Sequence, residues 1–210
     1  MFPLPRVLLG ALLLLASLPA AAASPAPAEC SGPGGAGPSH CLYRSVLPSA
    51  GIVTDCVTDR DCRVGYYYGG PERATWYTPP QGMASLPKPH VIWHTATFAE
   101  ARFDCGRPCT WSYFFEARRR LLSEPRRDVL GADHRRLLMA QPDGRALAIR
   151  QIFSAREVFR FERDWAPGLS PGEAIKEIRF DPDGRLTFTW LKGPGRERVT
   201  ERVSVPSLAR

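Results

Sequence analysis

His90 and His94 stand four residues apart, and Cys105 and Cys109 repeat that spacing after a gap of ten residues. Two imidazoles and two thiols would suit tetrahedral zinc. Their setting opposes it. The run His90-Val91-Ile92-Trp93-His94 reads as a strand, in which residues four apart share a face but lie roughly 13 Å from each other at about 3.3 Å per residue. One ion cannot take both rings. A thioredoxin-like redox centre is no closer, because it needs C-x-x-C at a helix start, where the dipole lowers a thiol pKa. Here the spacing is one residue longer and the flanks are strand-like.

The remaining chemistry is a covalent pinch. Cys105 and Cys109 can join across a tight reversal, with Gly106 free to take positive φ and Pro108 supplying a fixed one. Such a bond would hold Arg107 at the tip of a hairpin. A closed tip has little ordering entropy left to lose on binding, and guanidinium is planar and always charged. Gly106, Arg107 and Pro108 are therefore candidate partner-binding residues.

Nucleophilic catalysis finds little to work with. No Gly-x-Ser-x-Gly elbow is present, and Ser39-His40-Cys41 follows a tract of Pro, Gly, Ala and Ser. His134 follows Asp133 in an expected turn, and Asp181 with Asp183 belongs to another. Carboxylates assembled in space leave a glycan- or peptide-cleaving wall hydrolase as the alternative. The leading expectation is a protein without enzymatic activity, metal or cofactor.

The compartment decides what the thiols do. Residues 1–23 have the layout of a secretory signal: Arg6, an apolar run from Val7 to Leu18, then Ala21 and Ala23 for a signal peptidase. No later stretch approaches the roughly 20 apolar residues of a membrane helix. A periplasmic or secreted location follows, with no transmembrane segment in the mature chain. Six cysteines in an oxidising compartment usually form three disulfides. Their spacing suggests the near-neighbour pairs Cys30 with Cys41, Cys56 with Cys62, and Cys105 with Cys109.

Charge narrows the partner. The formal net charge is +7, or +6 once Arg6 leaves, and 25 arginines stand against 3 lysines with no asparagine at all. That bias fits a GC-rich bacterial gene. For an exported chain the basic balance points away from nucleic acid and toward an acidic protein or an anionic envelope component. Arg118, Arg119, Arg120, Arg126, Arg127, Arg135 and Arg136 face only Glu124, Asp128 and Asp133 between residues 118 and 136. Arginine forks suit carboxylate and phosphate. Arg118, Arg119 and Arg120 therefore join the clip as candidate partner-binding residues.

The elements that must carry these residues read as strands. Residues 24–50 are expected as a flexible leader and 51–210 as one β-rich domain. Two aromatic runs, VGYYYG and RATWYTP, suggest a hairpin. Pro142-Asp143-Gly144-Arg145 recurs as Pro182-Asp183-Gly184-Arg185, 40 residues on, each copy between strand-like runs and each a predicted hairpin turn. Leu186, Phe188 and Trp190 alternate with Thr187 and Thr189. The expected fold is all-β, a mainly antiparallel meander or two-sheet sandwich with blade-like hairpins, stapled by disulfides. Residues 113–124 suit either a strand or a short helix, and Ser170-Pro171-Gly172-Glu173 has a helix-start pattern.

A disulfide-closed loop on a β scaffold resembles the bacterial periplasmic lysozyme inhibitors, and small stapled exported domains also occur among immunity proteins. The likeness covers one loop and assigns no residue. It implies an envelope binding protein that occludes a partner's cleft; a structural subunit of a surface assembly is the third reading.

Overall fold

The computed structural model describes residues 28–32, 38–106 and 109–206. The expected signal, 1–23, and the tip residues Arg107 and Pro108 lie outside them. Among the described residues the chain forms four antiparallel sheets in strict chain order. The first holds β1 (Glu29–Ser31), β2 (Ser39–Arg44), β3 (Ala50–Thr58), β4 (Asp61–Tyr68) and β5 (Thr75–Trp76), each beside the next. The second holds β6 (His90–Trp93), β7 (Phe98–Asp104), β8 (Thr110–Glu116), β9 (Leu121–Leu122) and β10 (Arg126–Arg127), with β9 and β10 sharing one edge of β8. The third runs through β11 (Gly131–Asp133), β12 (Leu138–Asp143), β13 (Ala146–Gln151) and β14 (Glu157–Glu162). The fourth comprises β15 (Ile175–Phe180), β16 (Arg185–Lys192) and β17 (Glu197–Ser204). One short helix, α1 (Pro171–Ala174), lies between the last two sheets.

The sheets stack face to face, each on the one before it. Ile52 and Val64 of the first sheet meet Ala101, Phe103, Tyr113 and Phe115 of the second. Phe98 and Phe114, on the other face of the second sheet, pack with Val129, Met139 and Ile152. Leu138, Leu147 and Ile149 of the third sheet meet Leu186, Phe188 and Trp190 of the fourth. Apolar burial on both faces explains the unbroken buried runs in β8, β12 and β13, whereas β16 at the end of the stack alternates cleanly. Each apolar face removed from water contributes about 25 cal/mol per Å2.

Residues 113–124 resolve as strand, turn and strand. Phe114 and Phe115 serve opposite faces of β8, which only a two-residue period allows. The chain then reverses through 117–120, with Arg120 at φ 53, into β9. Both Pro-Asp-Gly-Arg segments make hairpin turns, with Gly144 at φ 62 and Gly184 at φ 88. Ser170 caps α1 through a capping box with Glu173, and the strand pattern resumes at Ile175.

The expected leader, 24–50, contributes structure. β2 pairs with β3 from Ser39 to Arg44, Cys41 is buried, and β1 adds to its edge. The Pro- and Gly-rich composition gave no strand signal here, and the disulfide between Cys30 and Cys41, which joins residues directly opposite each other, ties β1 to β2. The strand expected over His90 to His94 stops one residue short. β6 ends at Trp93, the chain turns over 94–97, and a separate strand begins at Phe98.

Candidate functional site

The expected pinch is present. Cys105 and Cys109 are disulfide-bonded, as are Cys30 with Cys41 and Cys56 with Cys62, so no cysteine is free. The thiols of the H-x3-H, C-x3-C pattern are thus bonded to each other. His94 instead places Nε2 3.1 Å from an oxygen of Glu100. The clip closes the hairpin of β7 and β8 just beyond the pair Asp104 and Thr110. Gly106 is exposed at φ 99, and the Cys109 N–H donates to its carbonyl.

Strand β8 separates the two halves of the predicted binding surface. The clip precedes Thr110, whereas Arg118, Arg119 and Arg120 follow Glu116 in the β8–β9 turn. Seven strand residues at about 3.3 Å each put the two ends about 20 Å apart. All three arginines are exposed, and Arg120 lies 5.7 Å from the Tyr68 ring, where it braces the first sheet against the second. Arg126 and Arg127 are the members of the basic stretch nearest the clip. They pair with Ser112 and Trp111 at its end of β8.

Beside the clip the second and third sheets part to form a cleft of about 550 Å3. One wall is Arg102 and Thr110, next to the clip. The connector Asp128, Val129 and Leu130 forms the base. Pro142 and Gly144 of the first Pro-Asp-Gly-Arg turn, with Ser170, Gly172 and Glu173 of the helix start, form the far wall. Three sequence motifs that share no stretch of chain therefore meet around one opening. Gly172 permits the far wall: a Cβ there would sit 3.0 Å from the Pro142 ring.

The cleft exists because one face of the second sheet changes character along its length. Phe98 and Phe114 seal it against Met139 at one end. Further along, the same face carries Glu100, Arg102, Ser112 and Arg126, which no apolar partner can cover without loss. A cross-strand row runs His90, Arg102, Ser112, Arg126. Arg126 reaches over to donate to the Ile152 carbonyl at 3.1 Å, and Gln141 donates back to the Arg127 carbonyl at 2.8 Å.

At the root of this face sits Glu100, with no exposed surface. It accepts from Arg102 Nε at 2.8 Å and Ser112 Oγ at 2.6 Å through Oε1, and meets His94 through Oε2. Burial pushes this carboxyl upward, but His94, Arg102 and Ser112 together outweigh burial and hold it below the usual carboxylate range. It is an ionised group inside the sheet, held by charge-assisted bonds. His134, in the turn after β11, is held below its ordinary pKa chiefly by burial, and proximity to His94 and Arg135 adds to this against Asp133.

Asp128 locks the rim. Its N–H donates to the Thr110 carbonyl at 2.8 Å, and its Oδ1 accepts from the Thr110 N–H at 3.0 Å, with the backbone at φ 52. Glu100, Arg102 and Ser112 were not among the candidate residues because the charged Glu100, Arg102 and Asp104 of FAEARFD disguise a buried strand. The available signal was the alternation of Ala99, Ala101 and Phe103 with Glu100 and Arg102.

Compared with family models, curated proteins and solved structures, the chain matches none. The geometry of the cleft and clip thus stands without a relative's function beside it. Among the described residues, no group of three or more His, Cys, Asp and Glu is placed to hold a metal ion. No helix there is long and apolar enough to cross a membrane.

Proposed function

We propose that this is a non-enzymatic binding protein of the bacterial envelope, exported and oxidised, which docks on an acidic partner protein with the clip end of its sheet stack and occludes it. The observation that carries this is the convergence of the disulfide-closed hairpin, the Pro142–Gly144 turn and the capped helix around one cleft. A covalently closed rim beside a shaped opening is pre-organised for contact, so association orders little new chain. Pairing of all six cysteines fits a compartment outside the reducing cytosol.

Binding suits the cleft better than hydrolysis. Its lining carboxylates are engaged, Asp128 by the Thr110 N–H and Arg127 and Glu173 by Ser170, while Glu100, buried behind Arg102, is held by three side chains. Glycan cleavage needs two carboxylates free to donate a proton and to attack or activate water, and the hydrogen bonds that Asp128 and Glu173 already accept favour binding over that chemistry.

Photo-crosslinking from the clip tests the reading. A benzophenone side chain at Asp104, exposed beside the clip, should capture a single envelope protein, whereas the same group at Thr200, on the far sheet, should not. Equal capture from both positions would remove the clip end from the reading. Fragments released from isolated cell wall by the pure protein would replace it with the hydrolase.

A further inference from the structure

We propose that Arg102 is a carboxylate-reading element, and that the cleft beside the clip takes one aspartate or glutamate side chain from a loop of the partner. The inference rests on the binding function just argued and assigns the chemistry of its contact.

Hydrogen-bonding capacity carries it. Arg102 lines the cleft with a third of its side chain in solvent. Its Nε is committed to the buried Glu100 at 2.8 Å, whereas its two terminal nitrogens have no hydrogen-bond partner among the described residues. Guanidinium is planar, so fixing Nε fixes the plane of the remaining fork. Glu100 is itself immobilised by Ser112 and His94, and has no exposed surface through which to relax. The result is a pair of donors held at a set angle before any ligand arrives. A planar fork of that kind matches a carboxylate bidentately.

The other polar groups of the lining do not compete for it. Asp128 is turned to the Thr110 N–H and lies 3.2 Å from Arg127 through its other oxygen. Glu173 accepts from both the N–H and the hydroxyl of Ser170. The unmatched charged donors of this cleft therefore belong to Arg102, and their complement is an anion. Val129 and Leu130 in the base and Pro142 in the far wall give the opening an apolar lining that suits the methylenes of a side chain rather than a free, fully hydrated ion. The selection of carboxylate over phosphate follows from that lining.

The probe is a blocked tripeptide, acetyl-Gly-Glu-Gly-amide, titrated into the intact oxidised protein while the backbone amide signals of the cleft residues Thr110, Leu130 and Gly172 are followed by NMR in every variant, with the Nε–Hε signal of Arg102 beside them in wild type. The Gln tripeptide and inorganic phosphate are the comparison arms. These signals should shift saturably with the Glu peptide and at least tenfold more weakly with the Gln peptide or phosphate. Arg102→Lys keeps a positive charge against Glu100 but loses the fork, and should weaken the Glu peptide tenfold or more. Glu100→Gln with Arg102→Gln removes the buried charge together with its partner and should abolish the response in a protein that still folds. Equal response to Glu and Gln peptides, tighter binding of phosphate, unchanged binding by Arg102→Lys, or no response to any probe would overturn the assignment. Crosslinking from Asp104 is independent of these arms, so a failed cleft and a failed docking surface are told apart.

Discussion

Arg102 Nε donates to Glu100 Oε1 across 2.8 Å, two residues along one strand, and the carboxylate has no exposed surface. Residues at i and i+2 of a strand share a face, so the pair forms within β7 without help from a neighbour. Ser112 and His94 then close the remaining positions around the carboxylate. A charge placed inside a sheet is destabilising unless it is paired and hydrogen-bonded. Here the pairing also decides where the second and third sheets part.

Replacing Glu100 by Ala should destabilise the protein by about 3 kcal/mol. That is the lower end of what breaking a buried pair costs, because Arg102 retains partial exposure and can turn to water. Urea denaturation at neutral pH measures it. A loss below 1 kcal/mol would show that the carboxylate is held weakly.

The same group sets a pH dependence. Glu100 has a folded pKa below its unfolded value of about 4.3. Its contribution is therefore complete above that unfolded value and disappears as pH falls through the lower, folded one. Wild type should exceed Glu100→Gln in stability at pH 7, and the difference should shrink on acidification below about pH 4. Asp143, Glu157, Glu173 and Asp181 are also held low, by hydrogen bonds from Arg160, Arg160, Ser170 and Thr187 respectively as the leading cause, and both proteins share them. A gap that stays constant from pH 7 to pH 3 would assign the difference to packing.

Asp128 separates a backbone effect from a side-chain one. Its φ of 52 is tolerated by Asp and Asn better than by Ala, and its carboxylate satisfies the Thr110 N–H. Asp128→Asn should stay within about 0.5 kcal/mol of wild type, whereas Asp128→Ala should cost about 1–2 kcal/mol from the unpaired donor and the backbone together. Thermal denaturation of the two variants checks the order. Equal losses would mean that the Thr110 N–H finds another acceptor.

Legibility followed the hydrophobic pattern. Leu186, Phe188 and Trp190 announced β16 because one of its faces is apolar and the other polar, and both Pro-Asp-Gly-Arg turns carried their own turn chemistry. Phe114 and Phe115 were ambiguous between helix and strand because the sheets on either side erase the alternation. A strand leading into the clip was expected, and β7 is that strand, but Glu100 and Arg102 were not singled out, because nothing in the sequence tells a charged residue that faces another sheet from one that faces water. Of the site, the pinch at Cys105 and Cys109 was legible from spacing and compartment. The distance between that pinch and Arg118–Arg120 was not, because it depends on which residues form β8 and which form the turn after it.

Ser170 should matter for the far wall of the cleft. Its hydroxyl accepts from the Glu173 N–H, and the Glu173 carboxylate accepts from the Ser170 N–H at 2.9 Å. Ser170→Ala should cost about 1 kcal/mol, as loss of an N-cap commonly does. Ser170→Asp restores an acceptor at the cap and should recover most of it. Hydrogen exchange at Glu173 and Ala174 should speed up in the alanine variant while Phe188 and Trp190 stay protected. Uniform acceleration throughout the fourth sheet would mean that the cap, through buried Ala174, holds that whole core together and not the local turn alone.

The clip should contribute locally rather than globally. A disulfide closing so short a loop restrains the unfolded chain by about 2 kcal/mol on the entropic account. Cys105→Ser with Cys109→Ser should therefore lower stability by about that amount and leave the body of the second sheet intact, because Phe103, Tyr113 and Phe115 are fully buried against the first. Amide exchange should rise at Cys105, Gly106 and Cys109 and remain slow at Ala101 and Phe115. Partner capture from Asp104 should fall with the loss of closure even where the protein is folded, since the hairpin end must then be ordered on contact. Undiminished capture by the open variant would mean that the bond stabilises the strands and does not prepare the binding end.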